Sequence, residues 1–347
     1  MVIDEDSYRF DLYTEGSKGN FKSDFDVSCF TAEDLEAARK KIAEAGTTAR
    51  ECYEWALGVE NGDCNAMIAL MLTLMPNLQV LNIDIWTHPD LAPSILIRML
   101  DRSGRLQRER QLGHPFALWS LKNVVVRYYY SSELDNIVHH LMSLLIIPSV
   151  ESLSAIDQNA AIHLYGHPSV ETDVDEKNLA AALHNNNLGQ TSMKELSLSF
   201  AIIRPKALFQ LLRYYPNLKR FYNKDGLGLD YESLIDIDDF RDVNLMTMVS
   251  CQSPHLECLA ILSWGYNWSY MVASSTGSLN SLKNLRHLEI TWPTFANTAG
   301  SDNGTESHPS CQCVVDTIPP SLERLSIIGS PSFVGRSFTL DVFFKIL

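Results

Sequence analysis

A short apolar phrase recurs along this chain of 347 residues. It places apolar residues at its first, fourth and sixth positions, as "LQVLNI" does within "MPNLQVLNIDIW". The clear copies are Leu78/Leu81/Ile83, Leu121/Val124/Val126, Met193/Leu196/Leu198, Leu256/Leu259/Ile261, Leu285/Leu288/Ile290 and Leu322/Leu325/Ile327, and the weaker ones are Val150/Leu153/Ala155 and Leu218/Phe221/Asn223. Such repetition predicts a repeat architecture in which each copy is one strand of a stacked sheet.

The distances between the copies are irregular. Their first residues are 43, 29, 43, 25, 38, 29 and 37 residues apart. Stretches with helical spacing, such as "LAPSILIRMLD" and "PKALFQLLRYY", precede several copies. Helix followed by strand, many times over, requires parallel strands joined by crossovers. The sequence therefore predicts an α/β fold: an irregular leucine-rich-repeat solenoid with a curved parallel sheet and helices on its convex side.

The alternation of side chains along a strand assigns a face to each residue of the phrase. The second and third apolar residues point into the core, and the residues between and beside them point to the opposite, concave side. The residues predicted to contact a partner on this concave face are Asn82, Asp84, Arg127, Glu195, Arg220, Tyr222, His287, Glu289 and Arg324. Their mixed charge suits a protein partner better than a polyanion, and the alternative is an ordinary solvated sheet face.

The N-terminal part carries helical patterns. Residues 1–30 are predicted to form an acidic, loosely ordered segment, followed by a repeat domain over residues 31–347. In "TAEDLEAARKKIAEAG", Thr31 is a predicted N-cap, Asp34 occupies the third helical position, and Gly46 ends the helix.

Two further helices are expected before the first strand. "TARECYEWALG" is predicted to place Ala49, Cys52, Tyr53 and Ala56 on one stripe. "NAMIALMLTLM" is apolar almost all round, which predicts a buried helix.

Composition excludes several classes of partner. The formal charge of −14 and a pI near 5.1 argue against nucleic acid or an anionic membrane as a partner. No apolar run reaches the roughly 20 residues that span a bilayer. An acidic N-terminus and seven cysteines without a dense framework suit a reduced compartment. We therefore expect a cytoplasmic or nuclear protein.

Signatures of common catalytic and cofactor sites are missing from the sequence. It contains no Gly-x-Gly-x-x-Gly, P-loop, Gly-x-Ser-x-Gly or His-Glu-x-x-His motif, so we expect no enzyme, catalytic residue or cofactor. His308, Cys311 and Cys313 come nearest to a metal site, but a Cys-x-Cys pair strains tetrahedral zinc. We interpret the stretch as a flexible loop with reduced thiols, at the end of a flexible polar insertion at about 294–312, and expect no metal.

One aromatic stretch leaves alternatives open. In "WGYNWSYM", Trp264, Tyr266, Trp268 and Tyr270 would share one face of an extended strand. Such a row is either a buried seam or a recognition patch, because Trp and Tyr dominate interfaces and stack on sugars. A sugar-binding protein using Trp264 and Trp268, or an α/β enzyme with an unrecognised site, are the alternatives to an interaction module.

Three stretches carry a family resemblance. "LMLTLMPNLQVLNIDIW", "LFQLLRYYPNLKRFYN" and "LKNLRHLEITWP" resemble the irregular leucine-rich repeats of fungal F-box proteins, in which a helix ends at Pro-Asn-Leu and a parallel strand follows. The resemblance covers about residues 50–330, and no F-box is seen, since the chain has no Leu-Pro dipeptide.

The resemblance carries functional expectations. It implies a concave face that captures a protein for ubiquitination, as the substrate-recognition part of an SCF-type ubiquitin ligase receptor. The F-box of that family recruits the adaptor of a cullin-RING ligase. Regular repeats also carry asparagine nine residues into the phrase, where this chain has Trp86, Tyr129, Ala201, Trp264, Pro293 and Ser330. Without that ladder, we expect helix and aromatic packing to hold the turns.

Overall fold

The computed structural model of the chain describes residues 9–12, 30–45, 48–86, 95–110, 114, 116, 118–129, 143–157, 162–163, 191–199, 201–202, 212–224, 254–262, 279, 282–291, 318–328 and 339–343. All structural statements below concern these residues. The predictions for the aromatic stretch 264–270, for the insertion at about 294–312 and for His308, Cys311 and Cys313 lie outside them.

The described elements alternate between helices and strands only in the N-terminal part. The helices are α1 (Ala32–Glu44), α2 (Ala49–Glu60), α3 (Cys64–Thr73) and α4 (Ile95–Arg108). The strands are β1 (Arg9–Leu12), β2 (Val80–Trp86), β3 (Asn123–Tyr129), β4 (Ser152–Asp157), β5 (Ile162–His163), β6 (Glu195–Ser199), β7 (Ala201–Ile202), β8 (Arg220–Lys224), β9 (Cys258–Leu262), β10 (His287–Thr291), β11 (Arg324–Ile328) and β12 (Thr339–Phe343).

The chain divides into two compact units, Met1–Leu153 and Ser154–Leu347. In the first unit the strand order is β1-β2-β3, and β1 and β3 both pair in parallel with β2; the boundary between the units falls within β4. The four-residue strand β1 lies within the N-terminal segment for which no element was predicted.

In the second unit the strand order is β6-β8-β9-β10-β11-β12. The strands are parallel up to β11, whereas β12 is antiparallel to β11. The short strands β5 and β7 form a separate parallel pair. Parallel strands in chain order confirm the α/β class and are consistent with a leucine-rich-repeat-like arrangement or another α/β arrangement.

The recurring phrase forms the core of the sheet. Its three defining residues are buried in all eight copies, including the two weaker ones. The copies are also in register: Leu81 lies opposite Val124, and Leu196, Phe221, Leu259, Leu288 and Leu325 form one lateral row. Each fully buried leucine stabilises the fold by about 1.5–3 kcal/mol. The prediction that the second and third residues of the phrase face the core is confirmed, and the first residue is buried as well.

A tight turn precedes most of the strands. The first residue of the phrase donates its N–H to the carbonyl three residues earlier, as Leu78 does to Met75 at 3.0 Å and Leu218 does to Tyr215 at 3.0 Å. Proline often follows the accepting residue, because its fixed φ suits the second position of such a turn. Asn or Ser then occupies the third position, at Asn77, Ser120, Ser149, Asn217, Asn284 and Ser321. Pro-Asn-Leu is therefore a turn signal followed by a core residue.

Main-chain hydrogen bonds join successive turns. The Lys194 carbonyl accepts the N–H groups of both Lys219 and Arg220, at 2.8 and 2.9 Å. The same double acceptance recurs at the carbonyls of Lys219, Glu257 and Arg286 in the second unit, and of Gln79 and Lys122 in the first. The backbone therefore joins successive turns where the asparagine ladder is missing, and the contribution of helix and aromatic packing stays a prediction.

Two of the three helices that precede the first phrase, α1 and α3, have the features that the sequence predicts. Helix α1 begins with the predicted capping box, in which the Thr31 hydroxyl accepts from the Asp34 N–H at 3.2 Å and the Thr31 N–H donates to Asp34 Oδ2 at 2.9 Å. Helix α3 is buried over seven of its ten residues, as its composition predicts.

The predicted stripe of α2 was wrong. Tyr53 is 69% exposed, and the buried residues of this helix are Trp55 and Val59. Trp55 buries more apolar surface than tyrosine would, and its indole N–H donates to the Ala66 carbonyl at 2.9 Å. The larger ring and its satisfied donor therefore select the core-facing side of α2.

Candidate interaction surface

The polar face of the second unit is the side of its sheet opposite the phrase residues. Strand alternation brings two lateral rows to this face. The first row is Glu195, Arg220, Cys258, His287 and Arg324, and the second is Ser197, Tyr222, Ala260, Glu289 and Ser326. The polar face therefore gathers six of the residues that the sequence predicts to contact a partner.

An ion pair crosses from β6 to β8 on this face. Arg220 Nη1 donates to Glu195 Oε2 at 3.0 Å, and the two side chains are 52% and 32% exposed. The hydrogen bond to Glu195 raises the pKa of Arg220. Because both groups remain in contact with water, this pair adds little to stability and keeps its charges available to another molecule.

Tyr222 and Cys258 lie beside this ion pair. Burial, followed by the nearby Cys258, raises the pKa of Tyr222 to about 12. Burial likewise raises the pKa of the Cys258 thiol, although Arg220 acts in the opposite direction. A cysteine nucleophile requires a lowered pKa, so this thiol is a poor nucleophile near neutral pH.

The remaining strands carry mixed groups. His287 and Arg324 are exposed on the first row, and Glu289 is half-buried on the second. At β9, by contrast, Ala260 and Leu262 are buried although they lie on the polar face. The face thus combines exposed charges with apolar positions, which is the composition of a protein interface more than of a polyanion site.

The first unit places its predicted site residues differently. Asn82 and Asp84 are both 4% exposed. Arg127 Nη1 donates to Asp84 Oδ1 at 2.7 Å, across the β2–β3 register. These residues lie together as predicted, but Asn82 and Asp84 belong to the interior of the unit.

Sequence reasoning missed a row of charges at the start of the strands. Lys219 Nζ lies 2.8 Å from Glu257 Oε1, and Arg286 Nη1 lies 3.4 Å from Glu323 Oε1. In the first unit the equivalent pair is Lys122 and Glu151, at 3.0 Å. All these residues directly follow the first apolar residue of a phrase, so aligning the copies on that position would have revealed the alternation of charge.

The search for metal-binding groups, membrane-spanning helices and similar proteins places few constraints on the function. Within the described ranges, no group of three or more His, Cys, Asp or Glu side chains could hold a metal ion. None of the helices described has the length and hydropathy needed to cross a membrane. No protein-family model matches the sequence, and comparison with curated proteins gives no significant match.

Proposed function

We propose that this protein is a non-enzymatic protein-protein interaction module whose partner binds the polar face of the second unit. The observation that carries the proposal is the mixed-charge row of half-buried Glu195 and exposed Arg220, His287 and Arg324 on the parallel strands β6, β8, β10 and β11. Such strands form a rigid platform, which lowers the entropic cost of binding.

The chemistry of the face supports a protein partner. It contains both signs of charge, Tyr222 and Ser197, which can pair with the mixed donors and acceptors of another protein. Arg and Tyr are also the residue types that contribute most to binding at protein interfaces. The buried, paired Asp84 and Asn82 are not part of this proposed surface.

The resemblance to fungal F-box proteins supports a finer proposal. The partner would be a protein presented for ubiquitination, and the chain would act as the substrate-recognition part of an SCF-type ubiquitin ligase receptor. Contact with a cullin-RING ligase adaptor is proposed on the resemblance alone, because no F-box phrase occurs in the sequence.

Site-specific photo-crosslinking tests the platform. A photoreactive amino acid replaces Tyr222 on the polar face or, as a control, Tyr53 on the exposed side of α2, and captured proteins are identified by mass spectrometry. We expect a protein captured from position 222 and absent at position 53. Capture of the same proteins from both positions would contradict the proposal.

Charge variants of the polar face provide a second test of the proposal. Arg220→Gln with Arg324→Gln removes two cations from the face, whereas Arg213→Gln with Lys283→Gln removes two exposed cations from elsewhere in the same unit. We expect loss of the captured partner only with the first pair, at unchanged thermal stability. Cullin-ligase subunits among the retained proteins would support the finer proposal, and their absence would leave the interaction module alone.

A further inference from the structure

The parallel strands of the second unit begin with two neighbouring residues that both point away from the core. At β8, the Lys194 carbonyl accepts the N–H groups of Lys219 and Arg220. Both of these side chains are exposed, and they lie between the buried residues Leu218 and Phe221. Two residues of one strand thus oppose one residue of the next, as in a β-bulge, so strict alternation of side chains does not apply at this point.

The same arrangement recurs on adjacent strands and defines what we call the double row. In each phrase from β6 and β8 to β11, two residues that are not buried separate the first and second buried residues. Neighbouring strands lie about 4.8 Å apart, so five strands extend the double row over about 19 Å. Its members are Lys194 and Glu195, Lys219 and Arg220, Glu257 and Cys258, Arg286 and His287, and Glu323 and Arg324.

Cations and carboxylates of the double row differ in exposure. Lys219 is 50% exposed and its partner Glu257 is 36% exposed, whereas Arg286 is 62% exposed and its partner Glu323 is 31% exposed. All five Lys and Arg side chains of the double row are exposed, and all three of its glutamates are half-buried. A molecule that approaches this part of the second unit therefore meets the cations first.

The ion pairs of the double row leave their cations available. Lys219 Nζ lies 2.8 Å from Glu257 Oε1, and Arg286 Nη1 lies 3.4 Å from Glu323 Oε1, with all four groups in contact with water. Exposed pairs of this kind contribute about 0–1 kcal/mol, so transferring a cation to a carboxylate of another molecule costs little. Five cations against three carboxylates also form a local positive excess in a chain whose net charge is −14.

The spacing and signs of these charges define the class of partner. We infer that the double row binds an acidic segment of a partner protein, an inference that rests on the proposed function and names the chemistry of its partner. Lys and Arg form charge-assisted hydrogen bonds with carboxylates, and about six residues of extended peptide, at about 3.3 Å each, cover the double row. A nucleic acid suits it less, because the regular phosphates of a strand would also face the carboxylates on β6, β9 and β11.

Short charged probes test the inference on the full chain. Fluorescently labelled octaglutamate, an uncharged Gly-Ser peptide of the same length and an oligothymidylate of eight nucleotides are titrated separately at low ionic strength, and binding is measured by fluorescence anisotropy. We expect octaglutamate to bind at least about tenfold more tightly than either of the other probes, and to be released in about 0.5 M salt. Oligothymidylate binding as tightly as octaglutamate would overturn the inference in favour of a nucleic acid.

Matched variants separate the double row from the general charge of the protein. Lys219→Gln with Arg286→Gln should weaken octaglutamate binding by about threefold to tenfold. The control is Arg39→Gln with Lys41→Gln on α1, which likewise removes one Arg and one Lys that are each paired with a glutamate and about half exposed. We expect the control to keep the original affinity. Equal weakening by the two double variants would overturn the inference, because both change the net charge by the same amount.

The result can be distinguished from a failure of the proposed function. Photo-crosslinking at Tyr222 reports whether any protein binds the polar face, whereas octaglutamate reports only on the acidic segment. Protein capture at that position without octaglutamate binding would overturn the inference and leave the interaction module standing. Octaglutamate binding that is lost with Lys219→Gln and Arg286→Gln supports the inference independently of the capture experiment.

Discussion

Two arginine–carboxylate pairs cross adjacent strands, one in each unit, and they differ mainly in their contact with water. Arg127 and Asp84 lie 2.7 Å apart with side chains 22% and 4% exposed, whereas Arg220 and Glu195 lie 3.0 Å apart and are 52% and 32% exposed. Both pairs occupy parallel strands in register, on the side opposite the phrase residues. The same kind of ion pair is therefore shielded from water in the first unit and exposed to water in the second.

This difference separates a structural role for the first pair from the recognition role that we propose for the second. In the first unit, the carboxylate of Asp84 has left water, so the fold depends on its cation to offset the desolvation cost. In the second unit, water screens the pair, and either charge can exchange its partner for a group on another protein. Sharing a face of a strand is consequently insufficient to define an interaction surface, and exposure must be added to it.

The largest effect should come from the core beneath both pairs. Leu196→Ala removes a fully buried member of the lateral row and should lower the free energy of unfolding by about 2–5 kcal/mol. Its neighbour Ser197, on the polar face, provides the matched control, and Ser197→Ala should change stability by less than about 0.5 kcal/mol. Urea denaturation measures both, and similar losses would contradict the assignment of faces.

The next effect distinguishes the two ion pairs directly. Arg127→Gln leaves the Asp84 carboxylate buried without its nearest cation, so we expect a loss of about 2–3 kcal/mol, below the full cost for a completely buried pair. Arg220→Gln should cost less than about 1 kcal/mol. Adding Asp84→Asn to Arg127→Gln should restore part of the stability. Equal costs for Arg127→Gln and Arg220→Gln in chemical denaturation would remove the proposed contrast between the units.

Much of the architecture was predictable because it depends on local rules. The period of two along a strand assigned the second and third residues of each phrase to the core, even Phe221 and Asn223 of a weak copy. The capping box at Thr31 and the turn at Pro-Asn-Leu likewise follow from side-chain and backbone geometry within a few residues.

The rest depended on groups distant in sequence. The pattern gave the face of Asp84 but not its burial, because periodicity contains no information about what packs over that face. Either Tyr53 or Trp55 could have occupied the core-facing side of α2, and the position of the Ala66 carbonyl, which accepts from the Trp55 indole, is not visible in the sequence. A cleft of the first unit, lined by Phe116 and by Arg98, Arg102 and Arg105 of α4, also escaped prediction, since only tertiary packing brings these residues to one place.

A smaller, pH-dependent effect tests whether the polar face of the second unit is partly desolvated near its ion pair. The pKa of Tyr222 is raised from 10.0 to about 12, so the unfolded chain loses this proton first as the pH increases. Stability should therefore fall between about pH 10 and pH 12, by less than about 1 kcal/mol given the partial exposure of the ring. Tyr222→Phe should flatten this part of the stability profile. An unchanged slope would place Tyr222 in ordinary solvent.

The smallest effect concerns the charge row at the start of the strands. A double-mutant cycle on Lys219 and Glu257, whose side chains are 50% and 36% exposed, should give a coupling of about 0.2–1 kcal/mol that fades in 1 M salt, where the Debye length is about 3 Å. The exposed pair of Arg220 and Glu195 should behave in the same way, since its exposure is similar. A coupling as large as that of Arg127 and Asp84 would mean that exposure does not decide the energetic role of these pairs. In that case Arg220 and Glu195 would belong to the folding energy of the second unit, and the proposed partner would have to bind through His287, Glu289 and Arg324.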